Sequence, residues 1–248
     1  MFRDLLRPRW IAFHVLVVAM VMVMINLAFW QLDRHRERQD FNATLTARFD
    51  EPIVPLESLL GGDPADIEWR TVQVSGEYLT GADVSVVNVS QDGRAGFDPV
   101  SALVIGDGRI VLINRGFLPL AAPFPPAPDG SVTVTGTVRS SAQRKAGQIA
   151  DPQDGVLTEV QRIDIDRLDE QIDGDVVDVY VELLASEPAD SPALSRIASP
   201  DFTTGPHLSY VVQWCIFSLF AVFGWFVVVR RRVIASRTAN DKSGQRAG

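Results

Sequence analysis

His207-Leu208-Ser209-Tyr210-Val211-Val212-Gln213-Trp214 opens an apolar run that carries no fixed charge until it stops at Arg230-Arg231-Arg232. The charge-free part, Leu208 to Val229, is long enough for a helix that crosses a bilayer. Six basic residues follow it, whereas only Arg196 stands in the twenty residues before it. Lysine and arginine collect on the cytoplasmic side of a span, so the C-terminus is expected to be cytoplasmic. A second such run lies near the other end, from Trp10 to Trp30, interrupted only by the polar His14 and Asn26. At about 1.5 Å per residue its 21 or so residues reach roughly 30 Å, the thickness of the hydrocarbon layer. A cleaved leader would have a shorter apolar core and a small-residue cleavage site. Here Trp30-Gln31-Leu32-Asp33-Arg34 follows, which reads as the exit of a retained anchor. Two spans place both termini on the cytoplasmic side.

The charge distribution agrees. The 248-residue chain has a formal charge of −8, but residues 1–30 carry +2 and residues 230–248 carry +5, which leaves −15 between them. An acidic middle excludes nucleic acid as a partner, because such proteins need a concentrated basic footprint. Basic ends beside apolar runs suit an anionic cytoplasmic leaflet. Cys215 is the single cysteine, so neither an intrachain disulfide nor a cysteine-based metal site can form.

Between the runs the pattern becomes β. Residues 31–49 read as a helical continuation of the first span, stopped by Pro52. Thr71–Tyr78, Val84–Val89 and Ser131–Val138 alternate or are β-branched, and Val100–Ile105, Gly106-Asp107-Gly108 and Ile110–Asn114 form a hairpin signal. Val156–Ile163 and Val176–Leu184 are two further expected strands, and Ile165–Ile172 a short helix. Pro123-Phe124-Pro125-Pro126-Ala127-Pro128 must be a loop, either a rigid connector or a docking loop. The fold class is therefore an α+β membrane protein: two transmembrane helices bracketing a mainly-β extracytoplasmic domain, a sandwich or partly closed barrel with one or two short helices. Its parts are a cytoplasmic N-terminus (1–9), a first span (10–30), the domain (31–207), a second span (208–229) and a basic cytoplasmic tail (230–248) whose small polar end, from Ser236, is expected to be disordered.

The catalytic inventory is thin. His35 and His207 stand at the membrane edges of the domain, so it contains no Ser–His–Asp or Cys–His arrangement, and no phosphate-binding glycine loop is present. Asp164, Asp166, Asp169 and Glu170 read as a solvated face. No enzyme is expected. Helical spacing places His207, Tyr210, Val211, Trp214 and Ser218 on one face. There a neutral imidazole could ligate a metal, haem iron above all, with Tyr210 and Trp214 as aromatic walls; the alternative is an interfacial histidine bonded to loop carbonyls. His35 emerges at the same level, which makes a two-histidine site conceivable. Asn26 could bond across to the second helix, and His14 should pack against it. Arg115, in Ile113-Asn114-Arg115-Gly116-Phe117, could hold a carboxylate, either within the fold or as a haem propionate.

Four segments in order resemble the Surfeit locus protein 1 family of cytochrome oxidase assembly factors. They are Trp30-Gln31-Leu32-x-Arg34; Gly96-Phe97 through Val111-Leu112-Ile113-Asn114-Arg115-Gly116-Phe117; Ile163-Asp164-Ile165 with Tyr180-Val181-Glu182-Leu183; and His207 to Trp214. The family usually has Trp at the position of Phe117, and often an Asn just before the His, where this chain has Gly205-Pro206. The resemblance implies a plasma-membrane factor that binds haem a, with His207 as its ligand, and aids insertion into the oxidase catalytic subunit. Other assembly factors and membrane lipid are the further partners implied. The alternative is a cofactor-free scaffold that stabilises an oxidase assembly intermediate.

Overall fold

A computed structural model describes residues 7–152 and 155–244, with side chains up to Ser236. Arg3 and the last four residues, on which part of the charge reading rests, lie outside the described residues. The chain divides into two compact units, Met1–Ala43 with Phe202–Gly248, and Thr44–Asp201.

In the first unit the charge-free sequence runs into charged sequence without breaking the helix. Helix α1 is Pro8–Phe49. Pro8 sits at the first helical position, where its missing N–H costs nothing. Beyond the apolar part, Arg34–Glu37 and Arg36–Asp33 pair at i,i+3. Two short α-helices, α2 (Pro64–Ile67) and α3 (Ile165–Asp169), belong to the second unit, and the last helix, α4, is His207–Gly244. It overruns the expected disordered tail, because Arg230 to Lys242 contains good helix formers and no proline to end it. Both helices are long and apolar enough to cross a membrane. Val15, Leu16, Phe29, Leu219, Phe220 and Phe223 are each more than 60 % exposed, a surface that lipid covers favourably and water does not.

The second unit is one sheet of nine strands with short helices. In chain order they are β1 (Val54–Pro55), α2 (Pro64–Ile67), β2 (Thr71–Tyr78), β3 (Val84–Gln91), β4 (Arg94–Ile105), β5 (Ile110–Asn114), β6 (Leu118–Pro119), β7 (Ser131–Ser140), β8 (Glu159–Val160), α3 (Ile165–Asp169) and β9 (Val176–Glu187). Pairing runs β2-β7-β9-β5-β4, and β4 also pairs with β2, so five strands close into a ring. An odd ring cannot be antiparallel throughout. The one parallel contact falls between β5 and β9. The partly closed barrel is thus closed, with β3 and β8 extending from β4. Closure depends on Gly76, whose β-carbon, if it had one, would collide with the carbonyl oxygen of Val104.

Two apolar clusters follow from this ring. Val72, Val74, Leu103, Ile105, Val111, Ile113, Val132, Val134, Val179 and Val181 fill the interior. Val100, Ala102, Ile110 and Leu112 pack on the opposite face against Leu157, Val160, Ile163, Ile165 and Leu168. The run Ile110-Val111-Leu112-Ile113 is buried on both sides, which is why it is apolar without alternation. The expected strand at Val156–Ile163 is a correction. Only Glu159–Val160 pairs, and the buried positions Leu157, Val160 and Ile163 recur every three residues. Apart from that short parallel pairing with β3, this segment covers the barrel with side chains.

Candidate functional site

Along α1 the shielded residues recur at steps of four and three: Trp10, His14, Val17, Val21, Met24, Ala28, Gln31 and His35. On α4 the series is His207, Val211, Trp214, Ser218, Ala221 and Trp225. A 3.5-residue repeat is the seam of a left-handed helix pair. Two side-chain hydrogen bonds cross it. Trp225 Nε1 donates to His14 Nδ1 at 2.8 Å, and His207 Nδ1 meets Gln31 Oε1 at 2.8 Å.

The second bond fixes the chemistry of His207. An amide oxygen only accepts, so Nδ1 carries the proton, and in the neutral ring Nε2 is left with its lone pair. Gly205 stands beside that nitrogen: it has φ +67°, and a β-carbon there would stand 3.3 Å from His207 Nε2. One helical turn further along both helices lies an apolar groove of about 480 Å³, lined by Ala28 and Leu32 of α1 and Val211, Cys215 and Ser218 of α4, among others. The Ser218 hydroxyl is turned back on the Trp214 carbonyl, 2.9 Å away, so it presents little polarity to the groove. Neither His207 nor Gln31 lines this groove; the bonded pair and the groove stand about one turn apart on the same two helices.

In the second unit Arg115 is fully enclosed. Its Nε and Nη2 donate to the Asp190 carboxylate at 2.9 and 2.6 Å. Nη1 donates to the Pro125 carbonyl at 2.9 Å and reaches Ser101 Oγ at 3.5 Å, and Nη2 also donates to the Pro126 carbonyl at 2.9 Å. All five N–H groups are therefore used inside the fold. Gly116 has φ +129° and lies against the Ser195 carbonyl, which lets the chain turn sharply just after Arg115. Nearby, the Asp98 carboxyl is pushed up to about 6, mainly by burial, with the Glu182 carboxylate adding and the Asn114 hydrogen bond opposing. Asn114 Nδ2 donates to Asp98 Oδ2 at 3.2 Å, while Asp98 Oδ1 is buried without a partner.

A family model described as the SURF1 family matches residues 18–219, most of the chain. The chain belongs to the SURF1 family. An uncharacterised SURF1-like protein of Mycobacterium tuberculosis is 29% identical, over 96% of this chain and 92% of its own length. A SURF1-like protein of Monosiga brevicollis is 24% identical over 93% and 90%. One from Rickettsia felis is 24% identical over 42% of this chain and 45% of its own. SURF1 family proteins are generally cytochrome oxidase assembly factors, and that role is the family's, not a catalytic one.

Set against this SURF1 family membership, the residues singled out in the sequence divide. His207 is at the seam, bonded to Gln31. His35 is on the same seam, one turn past Gln31, with its Nδ1 buried and partnerless. The two imidazoles make no bond or ring contact with each other among the described residues. Trp214 is half-buried and packs edge-on against Phe217 at 5.9 Å, and Tyr210 is 44% exposed; neither ring is among those lining the groove. Asn26 bonds the Met22 carbonyl of its own helix at 2.8 Å rather than the second helix. Arg115 has no donor left for a propionate and serves the fold. It anchors the proline-rich loop, whose Phe124 also stacks on Phe97, so that loop is a bolted connector. No cluster of three or more metal-ligating side chains occurs among the described residues, the acidic group around α3 included. The part of Gln31 was not anticipated. A signal for it exists: Trp10, Val17, Met24 and Gln31 are seven residues apart, as are His14, Val21, Ala28 and His35.

Proposed function

We propose that this SURF1 family protein binds haem a transiently between α1 and α4, with His207 as an axial ligand, and aids its insertion into the catalytic subunit of a haem-copper oxidase. The observation that carries the proposal is the His207–Gln31 hydrogen bond, which leaves the Nε2 lone pair of the neutral ring for a metal, about one turn from an apolar groove. Gln31 holds the tautomer and the ring plane, as the outer partner of a ligating histidine commonly does. Ala28, Ser218 and Cys215 are small enough to let a macrocycle approach both backbones. His35, with its unpartnered buried nitrogen, is the candidate for a second ligand. The basic flanks of the spans support a plasma-membrane protein with both termini in the cytoplasm and the barrel outside, where it would contact the oxidase subunit and other assembly factors.

The test is restoration of oxidase in cells that lack the chain. Wild type should restore full haem a content in the purified oxidase, and His207→Ala should restore the subunit with haem a depleted. Full haem content with His207→Ala would favour the cofactor-free scaffold.

A further inference from the structure

At the far end of the helix pair from His207, Arg7 just before α1, Arg9, Trp10 and Phe13 of α1 and Val228 and Arg232 of α4 line an open cleft of about 440 Å³. Three guanidinium-bearing side chains line it, and no carboxylate does among the described residues. Val228 and Arg232 stand three and seven residues past Trp225 on α4, both exposed, and Trp10 is the first seam position of the apolar run on α1. The Trp225–His14 hydrogen bond, one turn deeper, ties the two walls together.

We infer that this cleft is a binding site for the headgroup of an anionic phospholipid. Guanidinium groups take phosphate oxygens through paired N–H donors, which suits Arg9 and Arg232 to the phosphodiester. The rest of the lining is aromatic or apolar, and a free phosphate ion would gain nothing from it. The cleft also straddles the ends of both charge-free runs, Trp10 and Val229, at the level where indoles prefer to lie and where headgroup meets acyl chain. Basic clefts between spans on the cytoplasmic side are suited to acidic lipids. The glycerol and first methylenes would lie against Phe13 and Val228. The inference does not depend on haem carriage.

The test is native mass spectrometry of the full chain, delipidated in detergent, with phosphatidylglycerol or phosphatidylcholine added. Wild type should bind phosphatidylglycerol at least about tenfold more tightly. At about fivefold per arginine near a headgroup, Arg9→Gln/Arg232→Gln should lose about 25-fold of that affinity. Arg36→Gln/Arg38→Gln removes the same charge elsewhere on α1 and should keep it. Equal binding of the two lipids by wild type would overturn the site without recourse to any variant. Equal losses in the two double variants would reduce it to general charge attraction, which also overturns it. Full displacement of the lipid by an equal concentration of inorganic phosphate would reassign it to the free ion.

Discussion

Replacing Arg115 with leucine leaves Asp190 buried with one backbone donor, the Ser191 N–H at 2.6 Å, and strips two proline carbonyls of their partner. The Arg115 and Asp190 side chains are 0% and 7% exposed, so solvent cannot take over. Removing one member of such a pair costs about 3–5 kcal/mol, because the other charge stays buried. For a unit of this size each kcal/mol moves the unfolding midpoint by about 2–4 °C. A fall of roughly 6 °C or more is expected in the β-sheet signal of detergent-purified protein on heating. Arg115→Lys should fall between, since an ammonium keeps the charge but cannot serve five acceptors in one plane. Arg115→Leu/Asp190→Leu should recover part of the loss, because no lone charge remains. The reasoning would be refuted by an Arg115→Leu protein that melts within about 2 °C of wild type. Were that protein also depleted of haem, Arg115 would have to be a ligand-binding residue after all.

Asp98 gives a pH prediction. Its folded-state value, about 6, lies above the unfolded one, so its contribution is fully present below about pH 4 and is lost as pH rises through 6. Asp98→Asn keeps an acceptor for Asn114 and should therefore raise stability at pH 7 by about 1–3 kcal/mol, with little gain at pH 4; denaturant melts at the two values check this. Gln31→Leu removes the partner of His207 without touching the ring. It should weaken haem binding about 10- to 100-fold, the usual cost of losing an outer partner, and leave the unfolding midpoint of the β unit unchanged; a haem titration followed by absorbance measures it.

The sequence declared what is local. Charge-free runs gave both spans, and alternation gave β2 and β7 nearly to the residue, because a strand with one buried face must write that face at every second position. Closure of the barrel was only half visible. It rests on three β2–β4 pairs and on the absence of a side chain at Gly76, which reads in sequence as a mere weak point in a strand. Arg115 looked available because its acceptors come from 10, 11 and 75 residues away. No window around Asn114-Arg115-Gly116 contains them. The candidate site was legible at His207 but not in its tether, 176 residues distant, although the heptad spacing of Gln31 and His35 was in plain view. Contacts set mainly by side chains, such as those of Leu157 and Ile163 over the barrel, mimic a strand in composition and differ only in period.

The most direct test of haem carriage is the reduced-minus-oxidised spectrum of detergent-purified protein from cells that make haem A, wild type beside His207→Ala. The account predicts an a-type band in wild type that His207→Ala loses, with both proteins melting alike. An a-type band of equal size in both would contradict ligation by His207. No band in either, from protein that is folded, would contradict haem carriage itself.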